Sequence, residues 1–387
     1  MSRLVAVSWT GLAMGLVLLA GCDVHFNMGH NYGFTYTGET AETDDGGTID
    51  AAITKVRIVN KFGPVVIRPQ GENDEEATWT WHGKVWSPTK EQAEAYTEEL
   101  LVDVQTEGTT QTWTLLMPES ADDLDGVESR LEFVLPPSMI VDLNNQHGDS
   151  EVVNMQGELE LDQSFGNLVL QQFNYAKVDI RHGEGMIEDG QGDLEFDGAF
   201  TKLVVRRMKG NVTCEAQHSE VSVDQVAGDV DLETTFDRLL VDGVEGRARL
   251  ENAHGDIQAN IQGDVEAENR HGDIQLASGG QRVTITGAHG DIQLRMSRTD
   301  FAKIDVDTSF GDLLVQLPAD AQPTIEMDTR FGETESDFES AAGSAQSRVK
   351  LENSHGDIEV RAVAPASTAT AESDTAPQAD ETAGDAN

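Results

Sequence analysis

Short runs of alternating apolar and polar residues recur along the chain from about residue 140. Examples are LEL at Leu159, VDI at Val178 and IQL at Ile274. Alternation with a period of two residues predicts short β-strands, each with one buried face. The alternation and the frequent glycines exclude helix from this region. Strands this short cannot bury a face alone, so we expect repeated units that stack and share one core.

An aromatic residue marks each unit, and in most copies glycine and then an acid or amide follow it. Successive copies lie 17 or 18 residues apart up to His289 and then 21, 21 and 24 residues apart. The twelve aromatic positions are His147, Phe165, His182, Phe200, His218, Phe236, His254, His271, His289, Phe310, Phe331 and His355. A second set of glycines falls about half-way between them, at Gly157, Gly192, Gly210, Gly228, Gly246, Gly263 and Gly280.

This period predicts an all-β fold, a single-chain parallel β-solenoid over residues 140–361 with about 18 residues per coil. Successive coils would lie ~4.8 Å apart, and right-handed coiling is favoured. Glycine suits a sharp corner because it adopts positive φ freely, and the acid after it can bond nearby backbone amides. A row of polar residues two positions before the rings predicts a ladder of stacked side chains: Asn145, Thr234, Asn252, Asn269, Thr308, Thr329 and Asn353.

The His-Gly-Asp copies raise the question of catalysis or metal binding. Phenylalanine occupies the histidine position in five of the twelve copies, so a site that needs an imidazole nitrogen does not explain the position. We therefore predict that the rings stack as structural corners. His254, His271 and His289 fall in consecutive coils and could instead hold Zn²⁺ or Ni²⁺ or titrate together near pH 6. No closed ligand set and no calcium-binding nonapeptide appears, so we expect no metal site and no cofactor.

Residues 51–139 lack the repeat and are predicted to form an N-terminal cap of longer strands with one helix. The segment SPTKEQAEAYTEELLVDV begins with Ser87 and continues with good helix formers, and it places Ala93, Tyr96, Leu100 and Leu101 toward one side. A solenoid needs such a cap to cover its open end.

Two tryptophans of the cap, Trp79 and Trp81, share one face of a predicted strand. Side by side they could form a platform on which a sugar stacks. Packing of the cap on the first coil is the alternative, and we favour it because aromatic side chains are mostly core.

The N-terminus resembles the export signal of bacterial lipoproteins. One basic residue precedes an apolar run from Leu4 to Leu19, and LAGC at Leu19–Cys22 resembles their lipobox. The resemblance implies cleavage after residue 21 and acylation of Cys22, which would anchor the protein to a membrane. A plain secretory signal is the alternative. Asp23 suggests inner-membrane retention by the rule for enteric lipoproteins, but the choice between inner and outer membrane stays open.

Both flanks of the folded region are acidic and poor in large apolar residues. We therefore predict a flexible tether over residues 22–50 and a disordered tail over residues 362–387. The formal charge of the chain is −44, which excludes nucleic acid as a partner because phosphate binding needs clustered Lys and Arg. Cys214 lies in an alternating context and is predicted to be a small buried side chain.

The repeats resemble the putative-adhesin family of bacterial envelope proteins from about residue 53 to residue 361. HGDI at His254, His271, His289 and His355, with FGDL at Phe310, carries the resemblance. It implies a β-helix in the bacterial envelope, where we expect the protein to face the periplasm, and it brings no catalytic residue with it.

Two classes of function remain. The favoured one is a non-enzymatic, lipid-anchored envelope module whose acidic surface binds an envelope protein or a glycan. The other is a carbohydrate-active lyase or hydrolase, which needs a unique cluster of acids, or of acids with Arg or Lys, that interrupts the repeat. Insertions appear only after His289, in MSRTDFAK at Met296 and DFESAAGSAQSRVK at Asp337.

Overall fold

The computed structural model describes residues 38–71, 74, 76–117, 125–339 and 347–364. The predicted signal at 1–21, the lipidation site Cys22 and the predicted tail from residue 365 onward lie outside these residues. The start of the predicted tail at residue 362 is wrong, because Ala362 and Val363 belong to the last strand. The described part contains one helix, α1 (Lys90–Glu99), and 29 strands. The strands are β1 (Glu39–Ile49), β2 (Lys55–Asn60), β3 (Val65–Pro69), β4 (Ala77–Ser87), β5 (Leu101–Glu107), β6 (Thr110–Leu116), β7 (Gly126–Leu135), β8 (Ile140–His147), β9 (Ser150–Val153), β10 (Glu158–Phe165), β11 (Leu168–Gln171), β12 (Tyr175–Glu188), β13 (Leu194–Met208), β14 (Val212–Gln217), β15 (Glu220–Val226), β16 (Val230–Thr234), β17 (Leu239–Val244), β18 (Ala248–Asn252), β19 (Ile257–Ile261), β20 (Val265–His271), β21 (Ile274–Ser278), β22 (Arg282–His289), β23 (Ile292–Met296), β24 (Lys303–Phe310), β25 (Leu313–Pro318), β26 (Thr324–Phe331), β27 (Thr334–Ser336), β28 (Arg348–His355) and β29 (Ile358–Val363).

The alternating pattern sets which side chains enter the core. In β14, Val212, Cys214 and Ala216 are buried, and Thr213 and Glu215 between them are exposed. A strand with this pattern buries one face only, so the buried residues of all coils join into one continuous core.

Each regular coil has extended chain before the aromatic corner and after it, usually as two strands, and in β12 and β13 one strand runs through the corner. The strands that precede the corners pair in parallel in the order β8, β10, β12, β13, β14, β16, β18, β20, β22 and β24. The register follows the repeat, so Leu250 lies opposite Leu232 on one side and Ala267 on the other. The predicted parallel β-solenoid is therefore confirmed.

The C-terminal coils do not stack in chain order. Strand β28 pairs with β24 on one side and with β26 on the other, and β29 likewise lies between β25 and β27. The coil formed by β26 and β27 is therefore the terminal layer, and the chain returns from it to form the layer beneath. The longer spacings of 21 and 24 residues in this region accompany that change of order.

The N-terminal coil begins earlier than predicted. β2 and β3 pair in parallel with β8 and β9, so residues 55–69 form a regular coil rather than part of the cap. On its far side β6 and β7 pair with β2 and β3, and the antiparallel strands β4 and β5 extend that layer. The predicted boundary at residue 140 is wrong because the inserted residues 70–139 separate the first two coils in sequence.

The predicted helix is present but shorter than the predicted segment. Thr89 caps α1, and its hydroxyl accepts a hydrogen bond from the backbone N–H of Gln92. Ala93 is fully buried and Leu100 is 1% exposed, as expected for the inner side. Leu101 instead begins β5 and is 40% exposed, because the chain leaves the helix at Leu100 in an extended conformation.

The predicted flexible tether over residues 22–50 is wrong where the structure describes it. Residues 39–49 form β1, which pairs antiparallel with β4 along its whole length. Most of its side chains are exposed, so the alternation that marks a half-buried strand is missing. β1 is ordered because its backbone pairs with β4, and the pattern of its side chains does not predict this pairing.

α1, the single helix that the structure describes, is too short and too polar to span a membrane.

Candidate binding surfaces: a ring ladder and a carboxylate row

The twelve predicted corner rings form one continuous stack. Neighbouring ring centroids lie 4.4–5.1 Å apart. The planes of neighbouring rings differ by 2–26°. The order follows the chain up to Phe310, after which come His355 and then Phe331. All twelve side chains are exposed, so the ladder runs along the outside of the solenoid.

The corner backbone explains why glycine follows the ring. Gly272 has φ +129°, and a Cβ there would lie 2.2 Å from the carbonyl oxygen of Gly255 in the neighbouring coil. Both the conformation and the close approach of coils therefore require glycine. Three corners differ, because His182, Phe200 and His218 themselves adopt positive φ of 53–59°. Two of these are followed by Thr or Ser instead of glycine.

The corner acids hold neighbouring coils together. The backbone N–H of Asp273 donates to Oδ1 of Asp256 at 3.0 Å, and the N–H of Asp291 donates to Oδ1 of Asp273 at 2.9 Å. The same bond joins Asp312 to Asp291 at 2.8 Å. The acids therefore bond backbone amides as predicted, but in the next coil rather than in their own turn.

Six of the seven residues in the predicted ladder of polar side chains are buried behind the rings, and Thr329 of the terminal coil is partly buried. Asn252 donates from Nδ2 to the carbonyl oxygen of Asp237 at 3.0 Å, and Asn269 donates to that of Gly255 at 2.8 Å. Both asparagines are at most 3% exposed. These two asparagines give hydrogen-bond partners to corner carbonyl groups that would otherwise be buried without one.

Stacking prevents two neighbouring imidazoles from sharing one ion. His254, His271 and His289 lie in successive coils with centroids 4.8 and 5.0 Å apart. The nitrogen lone pairs of each imidazole lie in its ring plane, and the first two rings are stacked face to face, so their lone pairs do not point to a common ion between the rings. Among the described residues no group of three His, Cys, Asp or Glu side chains is placed to hold a metal ion.

The tryptophans of the cap are core residues and not a platform. Trp79 is 7% and Trp81 is 3% exposed, and the indole N–H of Trp81 donates to the Ser129 hydroxyl at 2.9 Å. Trp79 packs edge-on against Trp113 at 6.3 Å. The packing interpretation is therefore confirmed, since a sugar cannot reach these ring faces.

Cys214 is also a core residue, 1% exposed, as predicted. Burial raises the pKa of its thiol, with smaller contributions from the charges of Asp197 and Glu215. The thiol therefore stays protonated at neutral pH, and its role is packing.

An unbroken row of carboxylates crosses the outer face of the strands that precede the rings, and it is not among the features predicted from the sequence. Strand pairing places the members directly opposite one another on seven successive coils. They are Asp162, Asp179, Asp197, Glu215, Glu233, Glu251 and Glu268. We call them the carboxylate row. In the sequence, each member of the row lies three residues before a ring. Only the register of the strands shows that these acids are neighbours on successive coils.

The adjacent outward row is mixed in charge. Glu195, Thr213, Asp231, Arg249 and Glu266 lie opposite one another on the same strands. Arg249 pairs with Asp231 of this row at 3.9 Å and with Glu251 of the carboxylate row. The adjacent row therefore mixes acidic, neutral and basic residues, whereas every member of the carboxylate row is acidic.

Burial and neighbouring negative charge both act on the first member of the carboxylate row. The pKa of Asp162 is raised, first by burial and then by the charges of Asp179 and Glu160. Arg181 bonds Asp179 at 3.2 and 3.3 Å and partly offsets this repulsion. The row as a whole has few such partners and attracts cations.

Two further features that sequence reasoning missed lie at corners of the coils. Phe62 and Gly63 form a corner of the first coil, where the N–H of Gly63 donates to the carbonyl oxygen of His147 at 2.6 Å. The spacing of 85 residues between Phe62 and His147 hid this copy. The second corner contains a row of positive-φ residues that includes Asn154, Asp189 and Arg207.

The first insertion forms no acid cluster among its described residues, whereas in the second Asp337 meets Glu335 and Glu359 around Arg361. In the first, Arg298 bonds Asp300 at 2.8 and 3.0 Å, and Phe301 is 1% exposed. Residues 340–346 of the second insertion lie outside the described residues. A shallow depression at the C-terminal end is lined by Asp307, Asp328, Arg330, Glu352, Asn353 and Ser354.

Residues 137–361 match the family described as Toastrack DUF4097. This is more than half of the 387-residue chain. The chain belongs to this family. The matched Toastrack segment begins just before β8 and ends within β29, so it contains all twelve rings of the ladder. The comparison with curated proteins finds no match.

Three solved structures are similar to the Toastrack chain over 84% of its length. A "putative adhesin" from Bacteroides fragilis is 12% identical, is covered over 99% and has a TM-score of 0.21. A "putative adhesin" from Parabacteroides merdae is 11% identical, is covered over 98% and has a TM-score of 0.28. A "putative cell adhesion protein" from Clostridium sporogenes is 10% identical, is covered over its full length and has a TM-score of 0.19. Similarity at this level supports no conclusion about function.

Proposed function

We propose that the protein is a non-enzymatic, lipid-anchored module of the bacterial cell envelope. In this role the solenoid is an adhesin-like scaffold that presents the carboxylate row to an envelope protein or a glycan. The single observation that carries the proposal is the unbroken run of acids from Asp162 to Glu268 beside a row of mixed charge.

The energetics favour a binding role for the carboxylate row. Like charges directly opposite each other on paired strands destabilise a sheet. The adjacent row places Thr213 and Arg249 between its acids, so the same strands can carry a less repulsive arrangement. A cationic partner, or a glycan bridged by cations, would relieve the repulsion in the carboxylate row.

Acylation of Cys22 would supply the membrane anchor in this proposal. The formal charge of −44 repels anionic lipid headgroups, so the protein surface is a poor membrane contact. Changing Cys22→Ser should release the protein from the membrane fraction into the soluble fraction and abolish lipid labelling. Retention in the membrane fraction without the cysteine would contradict the anchor.

The binding role is tested by pull-down from intact envelopes with the lipid-anchored protein. A variant with Glu215→Gln, Glu233→Gln and Glu251→Gln should lose at least tenfold of the captured partner. The matched control is Glu195→Gln, Asp231→Asn and Glu266→Gln, which makes the same charge change in the adjacent row and should leave capture nearly unchanged. Equal loss in both variants would show a general charge effect and would overturn the role of the row.

The competing enzyme is tested with a panel of acidic polysaccharides. We expect no turnover by the purified protein. Turnover that a single acid-to-amide change abolishes would replace the binding role with a lyase or hydrolase activity.

A further inference from the structure

The terminal coil leaves one edge of the solenoid without a paired strand. Among the described residues, β26 pairs only with β28 and β27 only with β29. The backbone N–H of Thr324 donates to the carbonyl oxygen of Ser347 at 2.9 Å, which sets the alternation of β26. In a parallel ladder the intervening residues Ile325, Met327 and Thr329 therefore direct their N–H and C=O groups away from β28.

The inward side chains of this coil are only half covered. Val349 and Leu351 of β28 are fully buried, whereas Ile325 and Met327 opposite them on β26 are only partly buried. Phe338 packs against the same end of the core and is also partly buried. One more strand at this edge would complete their burial.

The ring ladder also ends here with a free face. Phe331 stacks on His355 at 4.8 Å and has no second ring neighbour among the described residues. It is 61% exposed, against 39% for Phe236, which lies between two histidines. An added strand with an aromatic residue at the corner would extend the ladder by one ring.

The negative charge of the terminal coil indicates which kind of segment can bind at its open edge. Residues 320–339 contain seven acids and one base, so their formal charge is 1 − 7 = −6. A second copy of the chain would bring the same acids to the contact. The chain's own residues 365–387 contain five acids, no base and no aromatic residue. The second copy therefore lacks the complementary charge, and the tail lacks both the charge and the ring.

We propose that the open edge of β26 and β27 binds an extended, Lys- and Arg-rich segment of a partner protein that carries one aromatic residue. The segment adds as a further strand, its basic side chains face the acids of the terminal coil, and its ring stacks on Phe331. This inference rests on the binding role proposed above and names its partner class. The contact is separate from the middle of the carboxylate row.

The probe is a synthetic peptide that copies residues 348–360, the natural neighbour of the terminal coil, with Glu352→Lys, Asp357→Lys and Glu359→Lys. It keeps the ring of His355 and reverses the charge. Full-length protein in detergent is titrated with this peptide and with a second peptide that also carries His355→Ala. We expect binding of the first peptide, and at least tenfold weaker binding of the second.

Two protein variants locate the peptide. Met327→Pro removes one edge-facing N–H without removing a bond to β28, and Phe331→Ala removes the free ring. Each should weaken binding at least tenfold. Phe165→Ala removes a ring far from the edge and is the matched control, which should bind as the wild type does. Hydrogen exchange in β18 confirms that each variant is folded.

Three results would overturn the proposal. The first is unchanged binding to Met327→Pro and Phe331→Ala. The second is a dimer of the protein that Met327→Pro dissociates, which would assign the edge to a second copy. The third is peptide binding that requires removal of residues 365–387, which would assign the edge to the tail. Envelope capture by Met327→Pro separates this inference from the proposed function, because capture through the carboxylate row should persist.

Discussion

An interior coil and the terminal coil use the same corner motif with different outcomes. β18 and β19 are paired on both sides, and Leu250 and Ile257 are at most 1% exposed. β26 and β27 carry Phe331, Gly332 and Glu333 at an equivalent corner but are paired on one side only, and no residue of β26 is buried. The motif therefore sets the geometry of a coil, and neighbouring coils supply its stability.

We expect the largest difference in stability between interior and terminal coils when their corner glycines are replaced. Gly272→Ala should lower the free energy of unfolding by about 4 kcal/mol or more, because it combines a disfavoured φ with a contact at 2.2 Å. In Gly332→Ala the new Cβ would lie 1.9 Å from the carbonyl oxygen of Gly356. The terminal coil can move away from the stack and so relieve this contact. Denaturant unfolding should show a loss below about 1 kcal/mol there. Equal losses at both glycines would contradict the comparison.

Core truncation should show the next largest difference. Leu250→Ala leaves a cavity in a fully buried layer and should cost about 3 kcal/mol. Met327→Ala removes a partly covered side chain and should cost less than about 1 kcal/mol. Thermal and denaturant unfolding measure both. A large global loss from Met327→Ala would mean that the terminal coil folds as one unit with the interior.

Ring removal should scale with the number of stacked neighbours. Phe236 stacks on His218 and His254, so Phe236→Ala should cost about 1–2 kcal/mol. Phe331 has one stacked neighbour, and Phe331→Ala should cost about half as much. A cost that does not depend on the number of neighbours would show that burial and not stacking holds the rings.

The smallest predicted effects concern pH. The raised pKa of Asp162 means that its ionised form destabilises the folded protein, so its protonation on acidification should relieve that cost. Asp162→Asn should add about 0.5 kcal/mol at pH 7, and this gain should vanish below pH 3.8, the ordinary pKa of aspartate.

Asp189 is the control of opposite sign, because its hydrogen bond to Arg207 lowers its pKa. Its stabilisation is present above the ordinary pKa of 3.8 and is lost as pH falls through the lower folded value. Asp189→Asn should therefore destabilise the protein at pH 7 and have little effect in strong acid. Unfolding of both variants from pH 7 into strong acid measures the two signs, and a shared sign would contradict the account.

Regular spacing made most of the solenoid predictable. The interval between His218, Phe236 and His254 equals one coil, so the corners, the buried strands and the ring stack follow from periodicity alone. β1 was missed because its order comes from pairing with β4 rather than from an apolar face. The reversed order of the last two coils depends on long-range pairing that no local pattern encodes.

The candidate surfaces were predictable to different extents. The rings were found because Phe and His share one property, a flat face. The carboxylate row was missed because an acid on an exposed strand position such as Glu233 looks like ordinary solvation. Only the register places Glu215 and Glu251 directly beside it.

The central claim is that the corner position requires a stacking ring and no imidazole nitrogen. The most direct test compares the melting temperatures, at pH 7.5, of two triple variants at His254, His271 and His289. Replacement of all three by Phe should leave the melting temperature within a few degrees of the wild type, whereas replacement by Ala should lower it clearly. A loss with Phe as large as the loss with Ala would contradict the claim, because it would assign the role to the histidine nitrogens.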